Sequence, residues 1–331
     1  MQFLKKLGID WYLPAMMLAV LLAWLAPGIG ATGGPLHSEV ITKGGMTLAF
    51  FIYGLTLSFE ALKAGALHWR LHAAVQVGTF LLFPLLAILI DRGGAAWLAP
   101  EIRFGFIYLC VVPSTISTSV AFTRIAGGNV AAAVFNATLS SLLGIVLTPL
   151  WLEGLTGAIG AGGDFGAAVR DLAKSIALPI AVGQVCRLGL AAWAGRHRAR
   201  LQAIDRWVIL FLIYASFCDS FRGNVWAGRG ALMLVTMTGL SLGLFAVAMV
   251  AMAALARSLG FNHADRMTLL FCGSKKSLAQ GVLMARVILA SHPAGGMVLL
   301  PLMIYHALQL IIGGVLAQRW GRAAEAHPAS A

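Results

Sequence analysis

Ten apolar stretches alternate with short polar connections along this chain of 331 residues. They run roughly over 11–29, 41–62, 71–91, 104–126, 129–152, 172–195, 204–221, 230–256, 267–290 and 296–318. Stretches of this length and apolarity cross the ~30 Å hydrocarbon core of a bilayer as helices. The pattern therefore predicts an all-α polytopic membrane protein of about ten transmembrane helices. The segments of about ten alternating residues that mark a membrane β-barrel are absent. The longest connection, Gly154 to Val169, is glycine-rich and falls near mid-chain. It divides the chain into a first set of five spans, 1–153, a connecting loop, 154–171, and a second set, 172–318, before a tail, 319–331, expected to be disordered. An odd number of spans per half forces the second half to be inverted relative to the first, which is the plan of inverted-repeat transporters.

The fourth span of each half is interrupted. In the first half the break is Val112-Pro113-Ser114, because proline lacks an N–H and pushes the residue before it out of helical geometry. In the second it is Gly273-Ser274, followed by Lys275 and Lys276. Each lysine near a bilayer midplane costs about 2.5–3.5 kcal/mol even on the lenient insertion scale. A broken helix whose polar turn faces a cavity accommodates them. The alternative is a loop between two shorter segments, but each flank is too short to cross ~30 Å alone. Paired interruptions at equivalent positions point to a transport site.

Composition narrows the class. Hydrophobic residues make up 60% and charged residues 11%, and the mean hydropathy is +0.86, far from the roughly 25% charge of a soluble domain. The net charge of +12 reads as basic cytoplasmic loops and not as nucleic-acid binding. With the N-terminus inside, Lys5, Lys6, Lys63, Arg70 and the arginines from Arg196 to Arg206 lie on the cytoplasmic side. The opposite side is less basic, so both termini are expected to be cytoplasmic in an inner or plasma membrane. The four cysteines, Cys110, Cys186, Cys218 and Cys272, have no paired spacing and are expected as free thiols. No metalloprotease, P-loop or nucleophile-elbow motif stands in place, so no enzyme and no cofactor is expected.

The polar residues inside the spans are the candidate site. After Pro113 come Ser114, Thr115, Ser117, Thr118 and Ser119, five hydroxyls that could bind a hard cation such as sodium or an anionic group at a half-helix N-terminus. Interhelical packing is the alternative. Asn136 and Ser140, four apart, share one face of the fifth span, where Asn129 and Thr148 also lie. A sodium ion could sit near Thr118, Ser119 and Asn136. Gln76 is a ligand or an interhelical bond. Gly273, Ser274, Lys275, Lys276, Ser277 and Gln280 make up the turn in the ninth span. Asp219 reads as interfacial, and His306 as a proton relay or a packing residue.

At these interruptions the chain resembles the bile acid:sodium symporter family. The resemblance rests on Cys110–Ser119, on Ala126-Gly-Gly-Asn-Val-Ala-Ala-Ala133, on Phe271–Gly281 and on Pro301-Leu-Met-Ile-Tyr-His306. It covers nearly the whole chain and is strongest to a bacterial subgroup that is also similar to the seventh animal member. It implies ten helices in two inverted five-helix repeats, split into panel and core domains. The fourth and ninth helices would be broken and cross in the core, with sodium and organic-anion sites beside the crossing. It further implies that the family's fourth-helix polar run falls on Ser117, Thr118 and Ser119, and its third-helix glutamine on or near Gln76. The fifth-helix ligands fall near Ala133 and Ala137, where Asn136 or Thr138 would substitute. The ninth-helix motif Glu-Val-Gly-Met-Gln-Asn-Ser falls on Phe271 to Ser277, so its carboxylate is missing and two amides have become lysines. Coupling to sodium, to protons or to neither therefore stays open. The expected function is secondary active transport of a small organic anion by alternating access. A channel, and a membrane regulator that keeps the fold without transport, are the rivals.

Overall fold

A computed structural model describes residues 12–56, 67–157, 166, 170–171, 173–224, 230–289 and 295–326. The described residues are all helix, turn and loop. In chain order the longer helices are α1 (Tyr12–Leu25), α2 (Ser38–Thr56), α3 (Trp69–Gly94), α4 (Pro100–Val111), α5 (Ser117–Ile125), α6 (Val130–Thr156), α7 (Ala173–Arg196), α8 (Arg198–Arg222), α9 (Ala231–Ser258), α10 (His263–Gly273), α11 (Leu278–Ile288) and α12 (Gly295–Ala326), with a one-turn helix, Pro27–Gly30, between α1 and α2. Six of the described helices are long and apolar enough to cross a membrane: α3, α6, α7, α8, α9 and α12.

Local chemistry accounts for the boundaries. Pro100 opens α4 at a position whose N–H has no helical partner. The side chains of Asn129, Asn262 and Ser277 cap α6, α10 and α11 by accepting from Ala132, Asp265 and Gln280 N–H groups. Gly157, with φ of 62°, closes α6 in the left-handed conformation. Helix α4 ends at Val111 and α5 begins at Ser117, and α10 ends at Gly273 and α11 begins at Leu278. Two expected boundaries shift. Helix α2 begins at Ser38, ahead of 41. Helix α12 runs on to Ala326, so a disordered tail does not begin at 319; residues 327–331 lie outside the described ones. Most of the loop 154–171 also lies outside them.

Helix α3 contains one π turn, Gly78–Leu82, just before Pro84. In it the N–H of Phe83 donates to Gly78, five residues back. The carbonyl of Thr79 would be next in that register, but residue 84 is proline and has no N–H, so the carbonyl is released from the helix.

Helices α1, α2, α7 and α8 pack on one another, while α4 packs on α3, α6 and α12, and α10 on α3, α5, α6 and α9. Helix α8 also meets α11 and α12. The α2–α7 contact is a backbone contact. A Cβ added at Gly54 would strike the carbonyl of Ile180, and one added at Gly183 would strike that of Phe51. Small residues allow this closeness, and dispersion over the contact replaces the hydrophobic drive that a lipid solvent cannot supply. The four cysteines are free.

Candidate functional site

The two breaks meet and complete each other. The N–H of Ser277 donates to the carbonyl of Pro113 at 2.9 Å. The hydroxyl of Ser114 donates to the carbonyl of Cys272 at 2.6 Å, and the Ser114 N–H donates to Ser140 Oγ at 2.9 Å. Tyr108 donates to the carbonyl of Gly281 at 2.5 Å, and Tyr305 to that of Ser274 at 2.6 Å. Thr148 Oγ1 donates to Val111 O at 2.9 Å. Gln309 spans the second break, accepting from Lys276 N–H and donating to Lys276 O. A buried backbone group left unpaired costs about 1–3 kcal/mol, so these side chains are what lets two helices stop inside the core.

Lys276 is fully buried, and its ammonium donates to three carbonyls: Cys110 at 2.7 Å, Val112 at 2.8 Å and Thr79 at 2.9 Å. Each of these carbonyls lacks its helical partner. Cys110 O loses Ser114 N–H to Ser140, Val112 O lies in the break, and Thr79 O is released by the π turn and Pro84. The C-terminal end of α4 also carries the negative pole of its helix dipole, which favours a cation there. Phe83 adds a ring centroid 4.2 Å from the ammonium.

Lys275 is equally buried but differently placed. Because 275–277 are not helical, successive side chains leave the backbone in opposite directions. Lys276 points to α3 and α4; Lys275 points to α5 and α12. Its ammonium stands 3.4 Å from the Phe122 ring centroid and 5.3 Å from that of Phe271, and has no hydrogen-bond acceptor among the described residues.

The remaining expected residues fall into separate groups. Gln76 Nε2 donates to the side-chain and backbone oxygens of Asn136 at 3.3 Å, and Asn136 Nδ2 donates to Ala132 O. Gln280 Nε2 donates to Ser141 Oγ at 2.7 Å, beside Tyr53 and Thr138. Thr118 Oγ1 meets Thr115 Oγ1 at 3.4 Å, and Ser119 Oγ is buried without a partner among the described residues. Ser117 opens α5; its side chain lies outside the described residues. Among the described residues no hydrogen bond joins Thr118 or Ser119 to Asn136, so the hydroxyl run and the amides are not linked. Gly273 lies against Met252 together with Gly78, which brings the π turn to the second break. Ser274 bonds back to Leu270 O within α10. His306 Nδ1 accepts from Gln309 Nε2 at 2.8 Å. Asp219 pairs with Arg286 at 3.2 Å and accepts from Thr32 N–H at 2.7 Å, joining α8 to α11. Sequence reasoning missed Thr79, Tyr108, Phe122, Ser141, Tyr305, Gln309 and Gly313. Pro84 marks an orphaned carbonyl in the preceding turn, but in α-helical register that is Phe80 O, and only the π turn moves it to Thr79.

The model of the SBF-like CPA transporter family matches residues 10–322. The chain belongs to this family. It is similar to an uncharacterized protein of Pseudomonas aeruginosa, 41% identical and covering 95% of this chain and 93% of the relative. It is also similar to the putative symporter YfeH of Escherichia coli K12, 40% identical over 87% of this chain and 86% of the relative. Sodium/bile acid cotransporter 7 of Danio rerio is 32% identical over 96% of this chain and 95% of its own length. Membership of the SBF-like CPA family makes the chain a membrane protein of a transporter family, and its described residues form an all-helical body with six helices long and apolar enough to cross a membrane.

Proposed function

We propose that this protein is a secondary active transporter of a small organic anion that works by alternating access without a sodium ion at the crossing. The observation that carries the reading is the Lys276 ammonium on the carbonyls of Thr79, Cys110 and Val112. Unwound carbonyls and half-helix C-termini are where transporters coordinate sodium, and here a tethered cation takes those oxygens. A sodium ion ~4 Å from the ammonium would be repelled by about 4 kcal/mol at an effective dielectric of 20. Relatives named as symporters and sodium/bile acid cotransporters support coupled transport, and protons remain as a coupling ion.

In this reading ten spans form two inverted repeats, 1–153 and 172–318. The α1, α2, α7 and α8 group is the panel, the remainder is the core, and both termini face the cytoplasm of the inner membrane. The hydroxyls of Ser114, Thr115, Ser117, Thr118, Ser119 and Ser277, with Gln76, Asn136, Ser140 and Gln280, contribute to the core site. The test is a screen of organic anions by thermal shift, where a ligand at 100 times its Kd stabilises by about 2.7 kcal/mol. Uptake of the resulting ligand into proteoliposomes follows, with and without a sodium gradient. Flux with little sodium dependence that is lost in Lys276→Met is the expected result. Transport that requires sodium and survives this substitution overturns the reading.

A further inference from the structure

We infer that Lys275, and not its neighbour, is the residue that binds the anionic group of the substrate, an organic carboxylate or sulfonate. The inference rests on the transport reading above and assigns its anion site. The two lysines have the same burial, 0% exposed, and the same backbone break, but opposite partner sets. Lys276 has an acceptor for each of its three donors. Lys275 has none among the described residues. A buried ammonium with no acceptor forfeits several kcal/mol of hydration. The Phe122 ring beneath it returns only about 0.5–2 kcal/mol. Among the described residues the ionisable groups that interact with it are Cys272 on α10 and His306 on α12, and neither is a carboxylate. Lys276 thus completes the fold, whereas Lys275 is incomplete without an anion from outside the chain.

The surroundings fit an organic anion better than an inorganic one. Ser119, Phe122 and Thr123 follow the i, i+3, i+4 spacing of one face of α5, and all three pack toward the interior. Ser119 Oγ is a second buried polar group with no partner among the described residues, available to donate to an anion's oxygen. Phe122 and Phe271 are apolar walls at 3.4 and 5.3 Å from the ammonium to their centroids. On the α12 side the wall is Gly313, where an added Cβ would lie 3.1 Å from the Phe122 ring and 3.4 Å from Lys275 Nζ. An added side chain there would crowd both the Phe122 ring and the Lys275 ammonium.

The experiment uses the full-length protein in detergent, with benzoate as carboxylate probe, taurocholate as sulfonate probe and neutral benzamide as control. Wild type, Lys275→Met, Lys276→Met and Gly313→Ala are compared by thermal unfolding. The expected result is a saturable upward shift of wild type by at least one of the two anions and none by benzamide. Lys275→Met should lose the anion shift while unfolding, without anion, at or above the wild-type temperature. Lys276→Met should unfold earlier. Gly313→Ala, which leaves both lysines in place, should weaken the anion midpoint by about tenfold. An anion shift that persists in Lys275→Met, a marked loss of stability in that variant without anion, or no shift of wild type by either probe overturns the assignment. Lys275-dependent anion stabilisation without flux in proteoliposomes would instead overturn the transport reading and leave the anion site standing.

Discussion

Ser277 donates its backbone N–H to the carbonyl of Pro113, at 2.9 Å, across two chain breaks that lie far apart in sequence. Proline lacks an N–H but keeps its carbonyl, and Ser277 N–H lies ahead of α11 with no helical carbonyl to receive it. Each break therefore supplies what the other lacks. Ser114 to Cys272 and Lys276 to Cys110 and Val112 repeat the relation with side chains. All four hydrogen bonds join residues 110–114, around the first break, to residues 272–277, around the second.

Tyr305→Phe and Tyr108→Phe test this junction. Each removes one hydroxyl and leaves a buried carbonyl, of Ser274 or Gly281, without its donor. Each should lower stability by about 1–3 kcal/mol. Thermal unfolding in detergent measures this, and wild-type stability in both variants would show that the breaks do not depend on these bonds.

Lys276→Ala should expose the carbonyls of Thr79, Cys110 and Val112 as a cage of oxygens. Sodium, a hard cation with a preference for such oxygens, should then raise the unfolding temperature of the variant, and should not do so for wild type. Choline chloride at equal ionic strength is the control. A sodium shift in wild type equal to that in the variant would count against the ammonium as the occupant.

Gly54→Leu should separate α2 from α7, because the added side chain must displace the Ile180 carbonyl and backbone cannot yield as a side chain can. The loss should exceed about 3 kcal/mol, at the upper end for overpacking. Size-exclusion chromatography and expression yield read the outcome. Gly44→Ala, at a position where an added Cβ meets nothing, should be neutral.

Asp219 and Arg286 tie α8 to α11, with side chains 31% and 19% exposed. A double-mutant cycle with Asp219→Asn and Arg286→Gln should return a coupling of about 1 kcal/mol, weakened by salt. A coupling near zero at low salt would reduce the pair to a surface contact without consequence for the α8–α11 join.

The apolar stretches, the two interruptions and the lysines in the second were legible along the chain, because bilayer thickness sets span length and proline or glycine marks where a helix cannot continue. The capping asparagines are local effects of the same kind, whereas the release of Thr79 O needed the π turn before Pro84, which the chain does not mark. The chain alone could not separate Lys275 from Lys276, adjacent residues of one type in one break. The separation depends on Thr79 O and Phe83 reaching one side of that break, and on Phe122 and Gly313 reaching the other. These partners come from helices distant in sequence, and no periodicity within a span encodes which of them meet. For the same reason the hydroxyls after Pro113, a single run in the chain, divide in the fold. Ser114 braces Cys272, Thr118 meets Thr115, and Ser119 is buried with no partner among the described residues, since an extended break followed by a helix turns neighbouring side chains toward different elements.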